Sequence, residues 1–302
     1  MKQEVLWDIL GVMKGIPRVI RLASSSVEVK GDDAVGHHAI VTGADHAVQE
    51  FLLRELHQQF PRARFITEEK VESAEHSALI LPKNPTAREI DEEPLVFVMD
   101  PIDGTSSFQR GLVGQWSSSV GILEYGRLSG GAITVPDYGM AIYGNGETTR
   151  VTQAGSTERE TRIFDKPERK QTLLLLGPDI HFLDPYGDFV LQASKEVRTT
   201  LTIGSCCAGL ALVAAGMVEA LVQPVQCPWD YAAGTRLVEG AGGKVIFYHY
   251  RDGVPVRMEK LDPPSFSAVE RNTAFIAGTP NLAEWLFELL QRTWAGTNIH
   301  KS

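Results

Sequence analysis

The most constraining feature of the chain is the apolar run Leu95–Met99, LVFVM, followed at once by Asp100-Pro101-Ile102-Asp103-Gly104-Thr105. An unbroken apolar run of strand length reads as a strand covered on both faces. Two carboxylates three residues apart at the mouth of such a strand are costly to bury unless something cationic neutralises them. Pro at the second position of the turn and Gly at the fourth bend the backbone sharply. Asp103 and Thr105 are residue types that begin helices, and Gly104 lets a ligand approach the backbone closely. Aspartate oxygens beside a helix N-terminus suit a divalent metal and the phosphate it holds. An Asp-rich helix cap without a ligand is the plainer reading of the same string. The haloacid-dehalogenase type of phosphatase, with its DxDGT, is excluded, because its nucleophilic Asp has no counterpart here.

Composition narrows the partners. The 302 residues carry 29 Lys plus Arg against 38 Asp plus Glu, a formal charge of −9, with no dense basic run to offset it. That balance argues against a nucleic-acid polymer as ligand, and an acidic chain that handles anions needs a local device such as a metal ion. The length fits about two domains and a large core without disulfides. Cys206, Cys207 and Cys227 match no zinc spacing, and their odd number fits buried thiols in a reducing cytoplasm. Glu4 and Asp8 interrupt the segment where an export signal needs an apolar run. The longest apolar stretch, Ala208–Val222, is broken by Gly209, Gly216 and Glu219, so no membrane span is expected.

Two helical patterns open the chain. In the second, Val48, Phe51, Leu52, Leu56 and Phe60 recur at helical steps before Pro61, and Thr42 and Asp45 have the spacing of a capping box. A short strand over Arg64–Ile66 leads to Thr67-Glu68-Glu69. Residues 70–94 read as a polar excursion with little packing. SSSVGIL, GGAITV and MAIYG then read as an antiparallel meander. The polar tract at about 150–171 is the candidate boundary between an N-terminal α+β domain, 1–152, and a C-terminal α/β domain, 153–302. In the second half strands at 173–176, 219–222, 244–248 and 274–277 alternate with helices near 186–196, 207–216 and 230–240 and a last helix from Thr279-Pro280. Alternation of this kind implies sheets layered with helices.

Two weaker motifs accompany the turn. Trp229-Asp230-Tyr231-Ala232-Ala233-Gly234 puts Asp230 at the start of a helix with small residues just inside it, and by itself Asp230 reads as a helix cap. The adjacent Glu68 and Glu69 point to opposite sides of an extended chain, so one can face a site and the other solvent. His37-His38 has no third ligand nearby and reads as loop.

Taken together, VTGAD at 41–45, TEE at 67–69, DPIDGT at 100–105, GSCCA at 204–208 and WDYAAG at 229–234 resemble, in order, the VTxxD, GEE, DPxDGT, GTAA and WDxAAG of the inositol monophosphatase family of Mg²⁺-dependent, lithium-sensitive phosphatases. The resemblance implies a layered αβαβα sandwich, two to three Mg²⁺ ions, a small phosphorylated metabolite as substrate and a homodimer. It implies that Glu68, Asp100 and the carbonyl of Ile102 hold one ion and that Asp100, Asp103 and Asp230 hold a second. Glu68 would also help hold a third through water. Thr105, hydrogen-bonded to Asp45 and beside Glu68, would activate a metal-bound water for in-line attack on phosphorus. The N–H groups of Gly104 and Thr105 would bind phosphate oxygens, and Asp103, Gly204, Ser205, Cys206 and Gln223 would line the substrate pocket.

The chain departs from the pattern in places that bear on the substrate. Thr67 replaces the Gly of GEE, and Ser106-Ser107 stand where Thr-Asn is common. Gln223 occupies the position of a Glu that accepts bonds from inositol hydroxyls in inositol-processing members, and RGLVGQWS at 110–117 is unlike the usual aromatic loop. A neutral amide still bonds a hydroxyl but loses the charge-assisted part. Three functions therefore stand: hydrolysis of a small sugar or polyol phosphate such as an inositol phosphate, hydrolysis of a 3′-phosphoadenosine nucleotide, or a non-catalytic metal-binding regulator on the same scaffold. The retained metal ligands and Thr105 count against the third. Lys30 is a candidate basic residue near the third metal.

Overall fold

All of the LVFVM run but Leu95 lies within the strand Val96–Asp103, every residue of which is buried. The computed structural model describes residues 3–23, 26–29, 40–71, 73–81, 85–154, 156–166, 168–181, 186–252, 254–258 and 273–297. Lys30 and His37-His38 lie outside them. A seven-stranded sheet is built in chain order from Arg64–Thr67, Val96–Asp103, Ser117–Glu124, Arg127–Val135, Met140–Gly144, Thr149–Gln153 and Arg159–Glu160. Its first pair is parallel, and the rest form the antiparallel meander expected from the Gly-punctuated strands.

The second sheet has six strands in the order Thr199–Thr202, Leu173–Leu176, Ala220–Gln226, Thr273–Gly278, Lys244–Arg251 and Val254–Arg257. Helices Gln3–Met13, Ile16–Leu22 and Gly43–Gln59 cover the outer face of the first sheet, where Leu6, Ile9, Leu52 and Leu56 meet Phe65, Phe97 and Met99. Between the sheets run Cys206–Ala214 and Pro228–Gly240, whose Leu210 and Leu237 join Val98 and Ile133 of one sheet to Leu221 and Phe275 of the other. Tyr186–Glu196 and Pro280–Thr297 close the far face with Phe189, Leu286 and Leu290. The layers read αβαβα, as expected. No helix among the described residues is long and apolar enough to cross a membrane.

Several local expectations change. The described part of residues 70–94 is mostly exposed, in keeping with little packing, but Ala74–Ser77 and Ala87–Asp91 are helical, and Leu81 and Ile90 are buried in the core between the layers. A capping box between Thr86 and Glu89 fixes the second of these helices, and a bridge from Phe65 to Ile80 ties the segment to the sheet. The helix expected from Asp230 starts at Pro228, because Pro is accepted in a first helical turn and Cys227 stands outside it as N-cap. The strand read as 219–222 continues through an irregularity to Gln226. The edge strands Thr199–Thr202 and Val254–Arg257, half-buried to exposed apart from Pro255, carried too little apolar pattern to be read.

The middle helix Pro228–Gly240 lies on the first sheet almost backbone to backbone. A Cβ on Gly131 would come within 2.6 Å of the Ala233 Cα, and one on Gly121 within 2.7 Å of the Ala232 Cβ. Two strand glycines and two helix alanines thus set the height of Asp230 above the sheet. Gly131→Val is expected to destabilise the protein by about 1–3 kcal/mol through overpacking. Gly11→Ala, in a helix with nothing within 4 Å of the new methyl, should be neutral or stabilising by up to about 1 kcal/mol. Thermal unfolding of the two variants checks the contrast, and equal melting temperatures would show that the close approach does not matter.

Candidate active site

The DPIDGT turn is shaped by a break in strand pairing. Asp100 stands opposite Ser119, but Asp103 stands opposite Ser117, so three steps on one strand match two on its neighbour. In a regular strand, residues three apart face opposite sides of the sheet. The extra residue restores the parity and brings both carboxylates to one side. Gly104 then takes a left-handed conformation, φ 87°, and a Cβ there would lie 2.5 Å from the carbonyl oxygen of Gln115. Both the dihedral and the crowding select glycine. The helical turn Thr105–Gln109 follows.

The acidic side chains are buried and held in fixed orientations. Asp103 Oδ2 accepts the Ser205 hydroxyl at 2.7 Å and the Cys207 N–H at 2.5 Å. Ser205 Oγ in turn lies 2.9 Å from Ser117 Oγ and accepts the Ala208 N–H at 3.0 Å. Asp230 Oδ2 accepts the Cys227 N–H at 2.8 Å, the reciprocal half of a capping box. Asp45 caps its own helix through the Thr42 N–H at 2.8 Å and the Thr42 hydroxyl, while its other oxygen accepts the Thr105 hydroxyl at 3.0 Å. Thr105 Oγ1 is also 3.0 Å from the Ile102 carbonyl oxygen. Asp100 Oδ1 is buried with no hydrogen-bond partner. Glu69 is buried, anchored through its backbone to the Gln49 amide, and Glu68 is half-buried, so neither of the pair is turned out to solvent as expected of one of them.

Burial raises the carboxyl of Asp100 well above the ordinary range, and the charges of Glu68, Asp103 and Asp230 raise it further. Burial likewise raises Asp103, against the Ser205 and Cys207 bonds, and raises Asp45, against the Thr42 bonds. Mutual repulsion of this kind places Glu68, Asp100, Asp103 and Asp230 in one electrostatic neighbourhood. Buried carboxylate oxygens, one of them without a partner, fit a hard divalent cation, which takes oxygen ligands. Ligand atoms of Asp100, Asp103 and Cys207 all lie within 4.8 Å of one another.

The sequence matches the model of the inositol monophosphatase family over residues 9–295. The chain belongs to that family. It is a phosphatase by class, a phosphoric monoester hydrolase. It is 28% identical over 257 residues to the inositol-1-monophosphatase of Bacillus subtilis, covering 82% of each chain. It is 27% identical over 218 residues to the Thermotoga maritima fructose-1,6-bisphosphatase/inositol-1-monophosphatase, covering 70% of this chain and 72% of that one. A histidinol-phosphatase from Chlorobaculum parvum is 27% identical over 178 residues, 55% of this chain and 64% of that one. Among solved structures, the Thermotoga maritima IMPase superposes with a TM-score of 0.67 at 21% identity, covering 97% of this chain and 98% of that one.

The structure gathers most of the residues that the family resemblance singled out and gives some a different task. Asp45, Thr105 and Ile102 are linked directly, and Glu68, Asp100, Asp103 and Asp230 share one electrostatic field. The Gly204 N–H is held by Gln115 Oε1 at 2.6 Å. Ser205, expected to line the substrate pocket, is fully buried and orients Asp103 instead. Cys206 is buried with its thiol held protonated by its surroundings. Gln223 is fully buried beside Gly177, and both of its amide atoms lack a hydrogen-bond partner. Sequence reasoning missed Gln115, Ser117 and Cys207. Three consecutive serines opening a buried strand were the available signal for Ser117.

The raised carboxyls have a consequence for stability. The folded chain keeps protons on Asp45, Asp100 and Asp103 that the unfolded chain gives up near the ordinary carboxylate value of about 4. Their contribution to stability is therefore present at low pH and lost as pH rises through the raised folded values. In chelator, Asp100→Asn should gain melting temperature relative to the parent as pH rises above about 4. A pH-independent difference between the two would refute this.

Proposed function

We propose that the protein is a Mg²⁺-dependent phosphomonoesterase acting on a small sugar or polyol phosphate. The observation that carries the reading is the unpartnered Asp100 Oδ1 at the centre of mutually repelling carboxylates. Glu68, Asp100 and the Ile102 carbonyl would hold one ion, Asp100, Asp103 and Asp230 a second, and Glu68 a third through water. When bound, the ions lower the pKa of water and neutralise charge on the transferring phosphoryl group and its leaving oxygen.

The chain supplies the rest. Thr105 Oγ1 donates to Asp45, so it can take a proton from an attacking water as its own passes to the carboxylate. Burial raises the Asp45 carboxyl, which favours accepting that proton. The bond network through Thr42 keeps Asp45 on the Thr105 side. The N–H groups of Gly104 and Thr105 would contact phosphate oxygens. Ser205 and Ser117 hold Asp103 in one rotamer, and the amide of Gln223 retains the capacity to bond a substrate hydroxyl.

The named relatives act on an inositol phosphate, fructose 1,6-bisphosphate or a histidinol phosphate. They share a small hydroxylated or amino-bearing monoester, which supports the polyol reading. The neutral Gln223 and the unusual 110–117 loop leave 3′-phosphoadenosine nucleotides as the competing substrates. A cytoplasmic setting is supported by three free cysteines, all buried. A homodimer is supported by the exposed Leu112, Val113 and Tyr138.

Phosphate release from a panel of inositol, sugar and 3′-phosphonucleotide monoesters, with Mg²⁺ and with chelator, tests the proposal. Chelator-sensitive release from polyol esters is expected, with inhibition by lithium. Asp230→Asn and Thr105→Ala should each lower kcat by about 10²–10⁴. Turnover confined to nucleotides would replace the substrate class, and no turnover on any ester with Mg²⁺ bound would favour a regulator.

A further inference from the structure

GSCCA puts two cysteines where the family resemblance has two alanines, and the fold places one of them against the carboxylates. Cys207 is fully buried, and its N–H holds Asp103 Oδ2 at 2.5 Å. Its thiol donates to the carbonyl oxygen of Asp230 at 3.1 Å. Its sulfur and one carboxylate oxygen each of Asp100 and Asp103 all lie within 4.8 Å of one another. Within that cluster, the fully buried Asp100 Oδ1 has no hydrogen-bond partner.

We propose that Asp100, Asp103 and the sulfur of Cys207 give the pocket a second binding mode, taking a thiophilic divalent cation of the zinc or cadmium class in competition with magnesium. The inference rests on Asp100 and Asp103 being cation ligands. Magnesium takes oxygen donors and ignores a thiol, whereas zinc and cadmium favour thiolate. Zinc binds sulfur at about 2.3 Å and carboxylate oxygen at about 2.0–2.2 Å, so ligand atoms around one ion stand roughly 3.5 Å apart and a movement of about 1 Å closes the set. On binding, the S–H bond breaks, the sulfur–metal bond forms and the proton leaves to the buffer, with no change of oxidation state. The S–H bond to Asp230 is lost, and the helix that carries Asp230 keeps its own cap through Cys227. Cys206 and Cys227, though buried nearby, are not part of the three-ligand cluster.

Cadmium titration of the full chain, followed by ultraviolet thiolate-to-cadmium charge transfer and by calorimetry, tests the site without any substrate. The parent should develop the band with one equivalent, and excess Mg²⁺ should suppress it competitively. Cys207→Ala and Cys207→Ser should each lose the band and bind cadmium at least about tenfold more weakly. Cys206→Ala and Cys227→Ala should keep it. The serine variant preserves the side-chain volume, and a melting curve for each variant separates loss of a ligand from loss of fold. Absence of the band in the parent, or its survival in both Cys207 variants, overturns the proposal. So does a Cys207-dependent band indifferent to Mg²⁺, which would put cadmium away from the carboxylates. Because no turnover is read, failure here is distinct from failure of the phosphatase reading.

Discussion

Repulsion among buried carboxylates is the constraint on which the rest of this structure depends. Asp100, Asp103 and Asp230 are enclosed, and the charge of Glu68 presses on Asp100 as well. Such a cluster opposes folding unless protons or cations offset it. The surrounding architecture is arranged to hold it regardless. A pairing irregularity turns two aspartates to the same side, a serine pair and a backbone N–H fix one of them, and a helix cap fixes another. Stability given up at these positions is recovered in three apolar clusters between and outside the sheets.

Structural and chemical roles overlap at several residues. Asp45 completes a helix capping box with one oxygen and accepts from Thr105 with the other. The spacing alone shows only the cap, since S/T-x-x-D is common at helix starts, and it is the family resemblance that points the second oxygen to Thr105. Asp230 shows the same duality through Cys227. Helix caps are suited to such use because the backbone N–H groups that satisfy one carboxylate oxygen also fix the direction of the second.

Much of the fold was legible because its signals are local. The LVFVM run, the meander glycines and the Val48–Leu52–Leu56 spacing each specify an element within one window, and each element is present. What escaped depends on contacts distant in sequence. The two helical turns after Thr67 are anchored because Ile80 bridges to Phe65 and Ile90 finds the core, neither of which a polar composition discloses. The strand Thr199–Thr202 is recruited by Leu173–Leu176 rather than by its own pattern. In the site, the acidic residues were readable from motif order. Gln115 and Ser117 were not, because each acts on a partner nearly ninety residues away, Gly204 and Ser205. Ser205 was found but placed in the substrate pocket, since nothing in GSCCA tells that its hydroxyl turns to Asp103.

The middle helix carries one consequence for motion. Asp100 and Asp103 belong to the seven-stranded sheet, whereas Asp230 belongs to a helix whose other face packs with Phe247 and Phe275 of the second sheet. On the proposed ligand set, an ion shared between them would be a cross-link between layers, comparable to a reversible disulfide placed across the sandwich. Its arrival would stiffen the seam between the two halves, and its departure would free that seam to breathe without unfolding either sheet. Ion occupancy and interlayer rigidity would then be one variable, written in the slowest exchanging amides of the middle layer.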